Sequence, residues 1–517
     1  MTHARNRFKD EQDTEKLVLD GETLKIEDVV QVMKNRCVVS LSQEAKKKLR
    51  ESRKRVEMIV KEHVVTYGIQ TGFGKLCNVR IEYHELEKLQ ENLIKSHASG
   101  YGEPLPPEIV RGMMLIRANT FAKGYSGVRL KVVENLLTLL NSDVVPFVPR
   151  YGSLGASGDL APLAHVALLL LGRGQAFIKD EDAHYRLVKG REALSKVGVE
   201  PLKLKAKEGL ALINGTPLMA SLGCFAVEEG RKLLRWATVV AAMSMEALLG
   251  TDSCFKEEIM ALRPHPGAMR VAKWLREYLK GSKIRASHLC CPRVQDPYSL
   301  RCTPQVLGAV YDVIENAAKV FEIEINSVTD NPIILKDKEG RARALSGGNF
   351  HGEPLAFQLD FLGIALSEVG SLSERRINLL LDNEIEFLPE FLIEHNGLNS
   401  GFMLAHYTAA ALVSRNRSLA NPSSTDTIPT SANQEDHVSM GANAGLKLLE
   451  IIENLKGILS IELLCSAQAL DFHNYDSSPE ITKLRESYRK VVPFIEKDVE
   501  IYKLIEKTSG FMEKYTI

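Results

Sequence analysis

A series of long helical stretches, beginning near Lys207 and continuing towards the C-terminus, most limits the possible folds of this chain. Apolar residues recur in them every three or four positions. One such stripe consists of Leu307, Val310, Ile314, Ala317 and Phe321. The stretches cover residues 208–250, 305–328, 353–381, 401–419 and 436–471. Helices of this length without strands to pack on predict a mainly α protein with a long-helix bundle as its core.

The first of these stretches, residues 208–250, would be about 65 Å long at 1.5 Å per residue. One domain does not need a helix of that length. We therefore expect the long helices to be shared across subunits of a homo-oligomer.

The N-terminal part of the chain has shorter elements. A chain of 517 residues exceeds the usual limit for a single core, so we expect a smaller, mostly helical domain over residues 1–206 and the bundle over 207–517. Two short β-hairpins are predicted in the smaller domain, one from residues 17–19 and 24–26 around Gly21, the other over 175–187.

Charge and composition argue against several classes of partner. Lys and Arg total 66 and Asp and Glu total 66, so nothing favours nucleic acid or an anionic membrane. Residues 1–16 are polar, without the apolar segment of a signal peptide, and the uncharged run Trp236–Met245 is too short to span a bilayer. The eight Cys form no Cys-x-x-Cys pair. Reduced thiols and a cytoplasmic location are expected.

A Gly-rich loop, Gly152 to Asp159, leads into the apolar helical run 163–171 and contains Ala156-Ser157-Gly158. Because Gly158 has no side chain, its amide nitrogen can approach the Ala156 carbonyl carbon. Attack there and loss of two waters would give 4-methylideneimidazol-5-one, an electrophile made from the chain itself. Alternatively, Ser157 or Asp159 could simply cap a helix. A serine nucleophile elbow is disfavoured because Asp159 stands where Gly-x-Ser-x-Gly requires glycine.

Other positions are ambiguous from pattern alone. Tyr67 lies in a loop with three Gly in seven residues and could reach a ligand or hold the loop down. His97 could cap the C-terminus of a helix over 86–96, and Asn214 with Gly215 could mark a kink. Arg301 could bind a carboxylate or form a surface ion pair. His351-Gly352-Glu353 matches the His-x-Glu of zinc deaminases, but no Pro-Cys-x-x-Cys follows, so no metal site is expected.

Six motifs between about Thr66 and Ala444 occur in the order found in the aromatic amino acid ammonia-lyases, and the chain resembles that family. The resemblance implies that Ala156-Ser157-Gly158 forms the electrophile, without an external cofactor. It also implies roles for the residues around that electrophile. Tyr67 corresponds to a catalytic tyrosine, Asn214 hydrogen-bonds the electrophile, Tyr298 lies beside it, Arg301 holds the substrate carboxylate, and Gln295 and Phe350 contact substrate.

Two motifs resemble the histidine-type members of this family. Ser96-His97 stands where phenylalanine-type members resemble Phe-Leu, and Gln434-Glu435-Asp436-His437 carries a carboxylate opposite the substrate ring. Asp436 could otherwise be a helix N-cap. The resemblance implies conversion of L-histidine to trans-urocanate and ammonia, the first step of histidine degradation. Tyr67 is the expected base and Glu435 the rival.

Other activities stay open at this point. They are a tyrosine or phenylalanine ammonia-lyase or aminomutase with the same electrophile, and a catalytically silent homologue. The family further implies a homotetramer with shared sites. Arg415 stands near a position that is acidic in several members, which bears on surface or subunit contacts rather than on chemistry.

Overall fold

A computed structural model describes residues 15–62, 65–179, 184–289, 293–382 and 387–517. The helices of the first half are α1 (Ile26–Met33), α2 (Gln43–Lys61), α3 (Leu86–His97), α4 (Pro107–Ala122), α5 (Leu130–Asn141), α6 (Leu160–Leu170), α7 (Gly190–Lys196), α8 (Glu208–Ile213) and α9 (Pro217–Ala247). Those of the second half are α10 (Glu257–Ala261), α11 (Pro266–Leu279), α12 (Lys283–Ser287), α13 (Tyr298–Arg301), α14 (Thr303–Ile325), α15 (Glu353–Leu381), α16 (Met403–Leu419), α17 (Gly441–Asp471), α18 (Pro479–Arg489) and α19 (Ile501–Lys514).

The strands are short and form small separate sheets. They are β1 (Glu15–Leu19), β2 (Cys37–Leu41), β3 (Tyr101–Pro104), β4 (Val145–Pro146), β5 (Pro149–Tyr151), β6 (Gln175–Lys179), β7 (Tyr185–Lys189), β8 (Ile333–Lys336) and β9 (Ala342–Leu345). β1 pairs with β2, β3 with β5, β6 with both β4 and β7, and β8 with β9. The expectation of a mainly α protein with short β elements is confirmed.

The chain divides into two compact units that are not consecutive segments. Unit 1 comprises Met1–Phe225, Lys319–Phe357 and Ser423–Asn443, and unit 2 comprises Ala226–Ala318, Gln358–Pro422 and Ala444–Ile517. This division differs from the expected domains 1–206 and 207–517. Most of its boundaries fall inside long helices, where no linker or change of composition marks them.

One of the two predicted hairpins forms. β6 and β7 pair antiparallel with Gln175 opposite Lys189, although residues 180–183 of the connection lie outside the described residues. The prediction of a hairpin around Gly21 is wrong, because β1 pairs parallel with β2 and residues 24–26 lead into α1. Asp20 accepts hydrogen bonds from the Glu22 and Thr23 amides, and this turn directs the chain into the helix.

Two predicted long helices are shorter than expected. The stretch 208–250 is broken between α8 and α9, where Asn214 is extended and Gly215 has φ +119°. α9 therefore has 31 residues and is about 46 Å long. The stretch 436–471 becomes helical only at Gly441, after Met440 with φ +55°. Asp436 is thus not an N-cap.

The core of each unit is apolar and helix-based. In unit 1, nearly all of α4 from Ile109 to Ala122 is buried, and a further cluster consists of Val56, Ile59, Val60, Ile69, Leu86, Ala206 and Ile334. In unit 2, Trp236 packs edge-on against Phe511 and donates to the Met512 carbonyl at 3.1 Å.

One helix has the length and composition of a membrane span, but it is a buried core helix. Within the described ranges, α15 is long and apolar enough to cross a membrane, but 67% of its most apolar window is buried inside the protein. That burial is typical of a core helix. The described cysteines are free thiols, and Cys290 and Cys291 lie outside the described residues.

Candidate active site

The loop between β5 and α6 has a strained backbone. Ser157 has φ +51°, in the left-handed region that non-glycine residues seldom adopt. Gly155 and Gly158, with φ +76° and +81°, flank it and form a β-bridge, in which the Gly158 amide donates to the Gly155 carbonyl at 3.2 Å. Strain of this kind concentrates at functional sites.

Gly215 holds this loop from the other side. The Gly215 amide donates to the Ser157 carbonyl at 3.0 Å, and the Gly215 carbonyl accepts from the Asp159 amide at 2.6 Å. A Cβ at Gly158 would lie 2.0 Å from the Gly215 carbonyl oxygen. Only glycine therefore fits at position 158, and the Ser157 carbonyl oxygen has a fixed backbone donor.

Asp159 joins the first turns of two helices. Its buried carboxylate accepts from the Leu218 and Met219 amides at 2.8 and 3.1 Å, at the start of α9, and makes no side-chain cap on α6. Burial raises the pKa of Asp159 to about 7, against the opposing effect of these hydrogen bonds. The cap proposed for α6 thus stabilises α9 instead.

A cavity of about 1120 Å³ opens beside Ser157 and is lined by residues of unit 1. Six residues singled out from the sequence contribute to its wall: Tyr67, His97, Ser157, Asn214, Phe350 and Glu435. Tyr67 lies in the loop after α2, His97 at the end of α3 and Ser157 in the loop before α6. The other three come from the break between α8 and α9, the loop after β9 and the loop before α17. Only the tertiary structure brings these distant segments together.

Tyr67 is held by a loop that packs on the loop of Glu435. A Cβ at Gly74 would lie 2.5 Å from the Ser431 hydroxyl. Burial raises the pKa of Tyr67. The Gly74 amide acts in the opposite direction, while the nearby Glu435 charge raises the pKa further. These surroundings favour the protonated phenol.

Glu435 follows a turn of three left-handed residues, Ser431, Ala432 and Asn433. Its carboxylate accepts from the Thr430 hydroxyl at 3.2 Å. Burial lowers the pKa of His97, although the Leu93 carbonyl and the Glu435 charge partly offset this. A neutral imidazole and a carboxylate therefore line the same cavity.

Asn214 lies over a buried charged network that sequence patterns did not reveal. The side-chain Nδ2 of Asn214 donates to the Asn331 carbonyl at 2.9 Å, while its side-chain Oδ1 is buried without a hydrogen-bond partner. Below it, Lys207 and Asp330 form a fully buried ion pair at 2.8 Å. Arg117 donates to the Asn214 carbonyl at 2.6 Å. The available signal was the position of Arg117 in an apolar run, whereas Lys207 stands beside Lys205 and Glu208 and gives no such signal.

Phe350 is attached to the same network through its loop. The Gly347 amide donates to the Asn331 side chain at 2.8 Å, and the Asn349 amide group donates to the Val328 carbonyl at 3.2 Å. These bonds fix the approach of the loop to the cavity wall.

Gln295, Tyr298 and Arg301 belong to unit 2 and form a cluster of their own. The Arg301 guanidinium donates to Gln295 Oε1 at 3.0 Å and lies 4.4 Å from the centre of the Tyr298 ring. Tyr298 is 70% exposed. Among the described residues that line the cavity, none is Lys or Arg.

Comparisons with known proteins agree with this site. A family model of aromatic amino acid lyases matches residues 24–490. The histidine ammonia-lyase of Streptococcus gordonii is 49% identical over 499 residues, 96% of this chain and 95% of that protein. The crystal structure of histidine ammonia-lyase from Trypanosoma cruzi is 40% identical with a TM-score of 0.88, covering 96% of this chain and 93% of that chain. The tyrosine aminomutase of Streptomyces globisporus is 36% identical with a TM-score of 0.89, covering 96% and 97%. The resemblance seen in the six motifs is confirmed: the chain belongs to the aromatic amino acid lyase family.

Proposed function

We propose that this protein is a carbon–nitrogen lyase that converts L-histidine to trans-urocanate and ammonia. The observation that carries the proposal is the lining of one cavity by Ser157, His97 and Glu435. An imidazole ring carries an N–H that needs an acceptor, and Glu435 is the one carboxylate among the described lining residues. The relatives named histidine ammonia-lyase support this choice over tyrosine or phenylalanine.

We propose that Ala156-Ser157-Gly158 cyclises to 4-methylideneimidazol-5-one with loss of two waters. The residues fit this group, because no Cβ obstructs Gly158 and the Ser157 carbonyl, the future ring oxygen, accepts from the Gly215 amide. When formed, the group supplies an electrophile that turns the substrate amine into a better leaving group.

The remaining cavity residues would bind substrate and move its protons. We assign removal of the β-proton to Tyr67, with Glu435 accepting the imidazole N–H, His97 and Phe350 packing against the ring and Asn214 hydrogen-bonding the electrophile. Since burial raises the pKa of Tyr67, its phenolate needs stabilisation beyond that of the Gly74 amide. Tyr67→Phe should lower kcat by roughly 10²- to 10⁴-fold, whereas retained turnover would transfer the role to Glu435.

We propose that Arg301, with Gln295 and Tyr298, serves a cavity of another copy in a homotetramer. The lack of Lys or Arg among the described lining residues supports this, because the substrate carboxylate needs a cation. Co-expressing Tyr67→Phe and Arg301→Ala chains tests it. Mixed oligomers should regain activity, since some cavities then hold both intact residues; hybrids as inactive as their parents would contradict it.

The free thiols agree with a reducing, cytoplasmic location.

The test of the activity is ultraviolet absorbance of the protein mixed separately with L-histidine, L-tyrosine and L-phenylalanine. A new conjugated-acid band with L-histidine alone is expected. A band with tyrosine or phenylalanine would instead indicate another lyase, and a β-amino acid product an aminomutase. With no product, an intact mass lacking the loss of about 36 Da, the mass of two waters, would indicate a silent homologue.

A further inference from the structure

Two loops beside the cavity and the start of α15 bring together three side chains: His351 follows Phe350, Glu353 is the first residue of α15, and His437 follows Glu435 in the loop before α17. The two imidazole rings are stacked, with their planes 4° apart and their centres 5.7 Å apart. The His437 Nε2 lies 3.9 Å from Glu353 Oε2. One nitrogen or oxygen ligand atom from each of the three residues lies within 4.8 Å of the others.

The bonding of these groups is incomplete. Glu353 Oε2 is shielded from solvent but has no hydrogen-bond partner. The His351 ring makes only long contacts, at 3.3 Å from the Glu353 amide and 3.4 Å from the His437 carbonyl. A buried carboxylate oxygen without a partner is costly. The Glu353 carboxylate oxygen is therefore not hydrogen-bonded to any cation, and its nearest imidazole nitrogen is 3.9 Å away.

Two imidazoles and a carboxylate suit a divalent transition metal ion such as Zn²⁺. Three protein ligands leave a further position for water. His437 has a 64% exposed side chain, so an ion can enter from solvent. A Zn–N bond is about 2.0–2.1 Å long, so binding would draw these three groups closer together than they are without the ion.

We propose that His351, Glu353 and His437 bind a divalent transition metal ion that joins the loop of Phe350 to the loop of Glu435. Phe350 directly precedes one ligand, and Glu435 lies two residues before another. The ion would therefore regulate how the cavity wall meets the substrate ring, and this part rests on the proposed function. The proposal departs from the expectation drawn from the sequence, where His351-Gly352-Glu353 without a following Pro-Cys-x-x-Cys predicted no metal site. The third ligand, His437, is 86 residues from His351 and does not belong to that local pattern.

Metal binding is measured first, without reference to activity. Chelator-treated protein is titrated with Zn²⁺ by calorimetry and with Co²⁺ by visible absorbance. One ion per chain is expected, with at least about tenfold weaker binding in His351→Gln, Glu353→Gln and His437→Gln. The exposed His265 of unit 2 provides the control His265→Gln, which should bind like the wild type.

The outcome is decisive in either direction. Stoichiometric binding that persists in a His351→Gln/His437→Gln double variant, or no binding by wild type, would overturn the site. His437→Gln is the variant that is safest for folding, because this side chain is exposed.

The regulatory part is measured separately as KM. We expect removal of the ion to raise KM for L-histidine by about fivefold or more, the lower range of site-to-site coupling, and His437→Gln to show the raised KM with or without metal. An unchanged KM would overturn the coupling. Metal binding without any lyase activity would retain the site and contradict the proposed function, so the two failures are distinguishable.

Discussion

Buried charges occur in both units, but their partners differ. In unit 2, Arg376 and Glu462 form a fully buried pair. Both carboxylate oxygens also accept hydroxyl hydrogen bonds, from Ser244 at 2.8 Å and Ser373 at 2.5 Å. In unit 1, Lys207 and Asp330 are equally buried, yet the adjacent Arg117 Nε and Nη1 and Asn214 Oδ1 have no hydrogen-bond partner.

The buried charges of unit 2 stabilise helix packing, whereas those of unit 1 lie beside the candidate active site. The pair in unit 2 lies between the long helices α15 and α17 and is fully hydrogen-bonded, including a bond of 3.4 Å from Arg376 to the Ser299 carbonyl of α13. The network in unit 1 lies beside left-handed Ser157 and an open cavity. Unsatisfied atoms and backbone strain together mark sites where catalysis is favoured over stability.

The strongest test of this contrast is Ser157→Ala. Without the hydroxyl, the second dehydration cannot occur, so we expect the loss of no more than one water and an intact mass without the full decrease of about 36 Da. Activity should fall by roughly 10³-fold or more, while the urea midpoint stays close to wild type. Ser373→Ala in unit 2 is the matched control. It should lower the urea midpoint without changing the mass difference, and a large loss of activity there would break the distinction.

Removing one cation from each buried pair compares the units directly. Lys207→Met and Arg376→Met each leave a buried carboxylate without its partner, which costs about 3–5 kcal/mol. Both should therefore unfold at lower urea. Lys207→Met should lower kcat of the folded protein more than Arg376→Met does. Asp330 lies 3.4 Å from the Asn214 side-chain amide, whereas Arg376 reaches α13 only through the Ser299 backbone carbonyl. Equal kcat values in the two variants would contradict a functional role for the unit 1 network.

Asp159 should make the free energy of unfolding depend on pH, and Asp159→Asn should reduce that dependence. Because its folded pKa is raised to about 7, the protein binds this proton more tightly than the unfolded chain does. Its contribution to stability is complete below about pH 4 and is lost as pH rises through about 7, at no more than about 1.4 kcal/mol per pH unit. Urea unfolding at fixed protein concentration should show this slope in wild type and less of it in Asp159→Asn.

Asp337 supplies a control of opposite sign. A hydrogen bond from Arg341 lowers the pKa of Asp337, so its contribution is present at neutral pH and is lost as pH falls below about 4. Asp337→Asn should leave the slope between pH 4 and 7 unchanged. A loss of that slope in Asp337→Asn, or its retention in Asp159→Asn, would exclude Asp159 as its source.

The smallest effect is expected at Arg415. Its guanidinium donates to Glu450 at 2.6 Å, and both side chains are about half exposed, at 56% and 44%. Exposed pairs of this kind contribute little. Arg415→Ala should match wild type in activity and urea midpoint. A changed elution volume in size-exclusion chromatography would instead indicate a subunit contact.

The sequence predicted those elements whose signals are local. The stripe at Leu307, Val310 and Ile314 predicted α14 to within about three residues, and the apolar pattern over 353–381 predicted α15, because helical periodicity repeats every few residues. The Gly-rich loop of Ala156-Ser157-Gly158 was also evident, since its glycines are adjacent in the chain. These features, together with motif order, were sufficient to indicate the family.

Tertiary structure decided what depends on distant partners. The pairing of β1 with β2, the cap that Asp159 supplies to α9 and the ion pair of Lys207 with Asp330 each join residues separated along the chain. The break before Gly441 was missed as well, because left-handed Met440 is fixed by its surroundings rather than by its residue type. Local propensity determines where helices form. Burial and hydrogen bonding in the folded chain determine which charges lie beside Ser157, since desolvation acts only after distant segments have packed together.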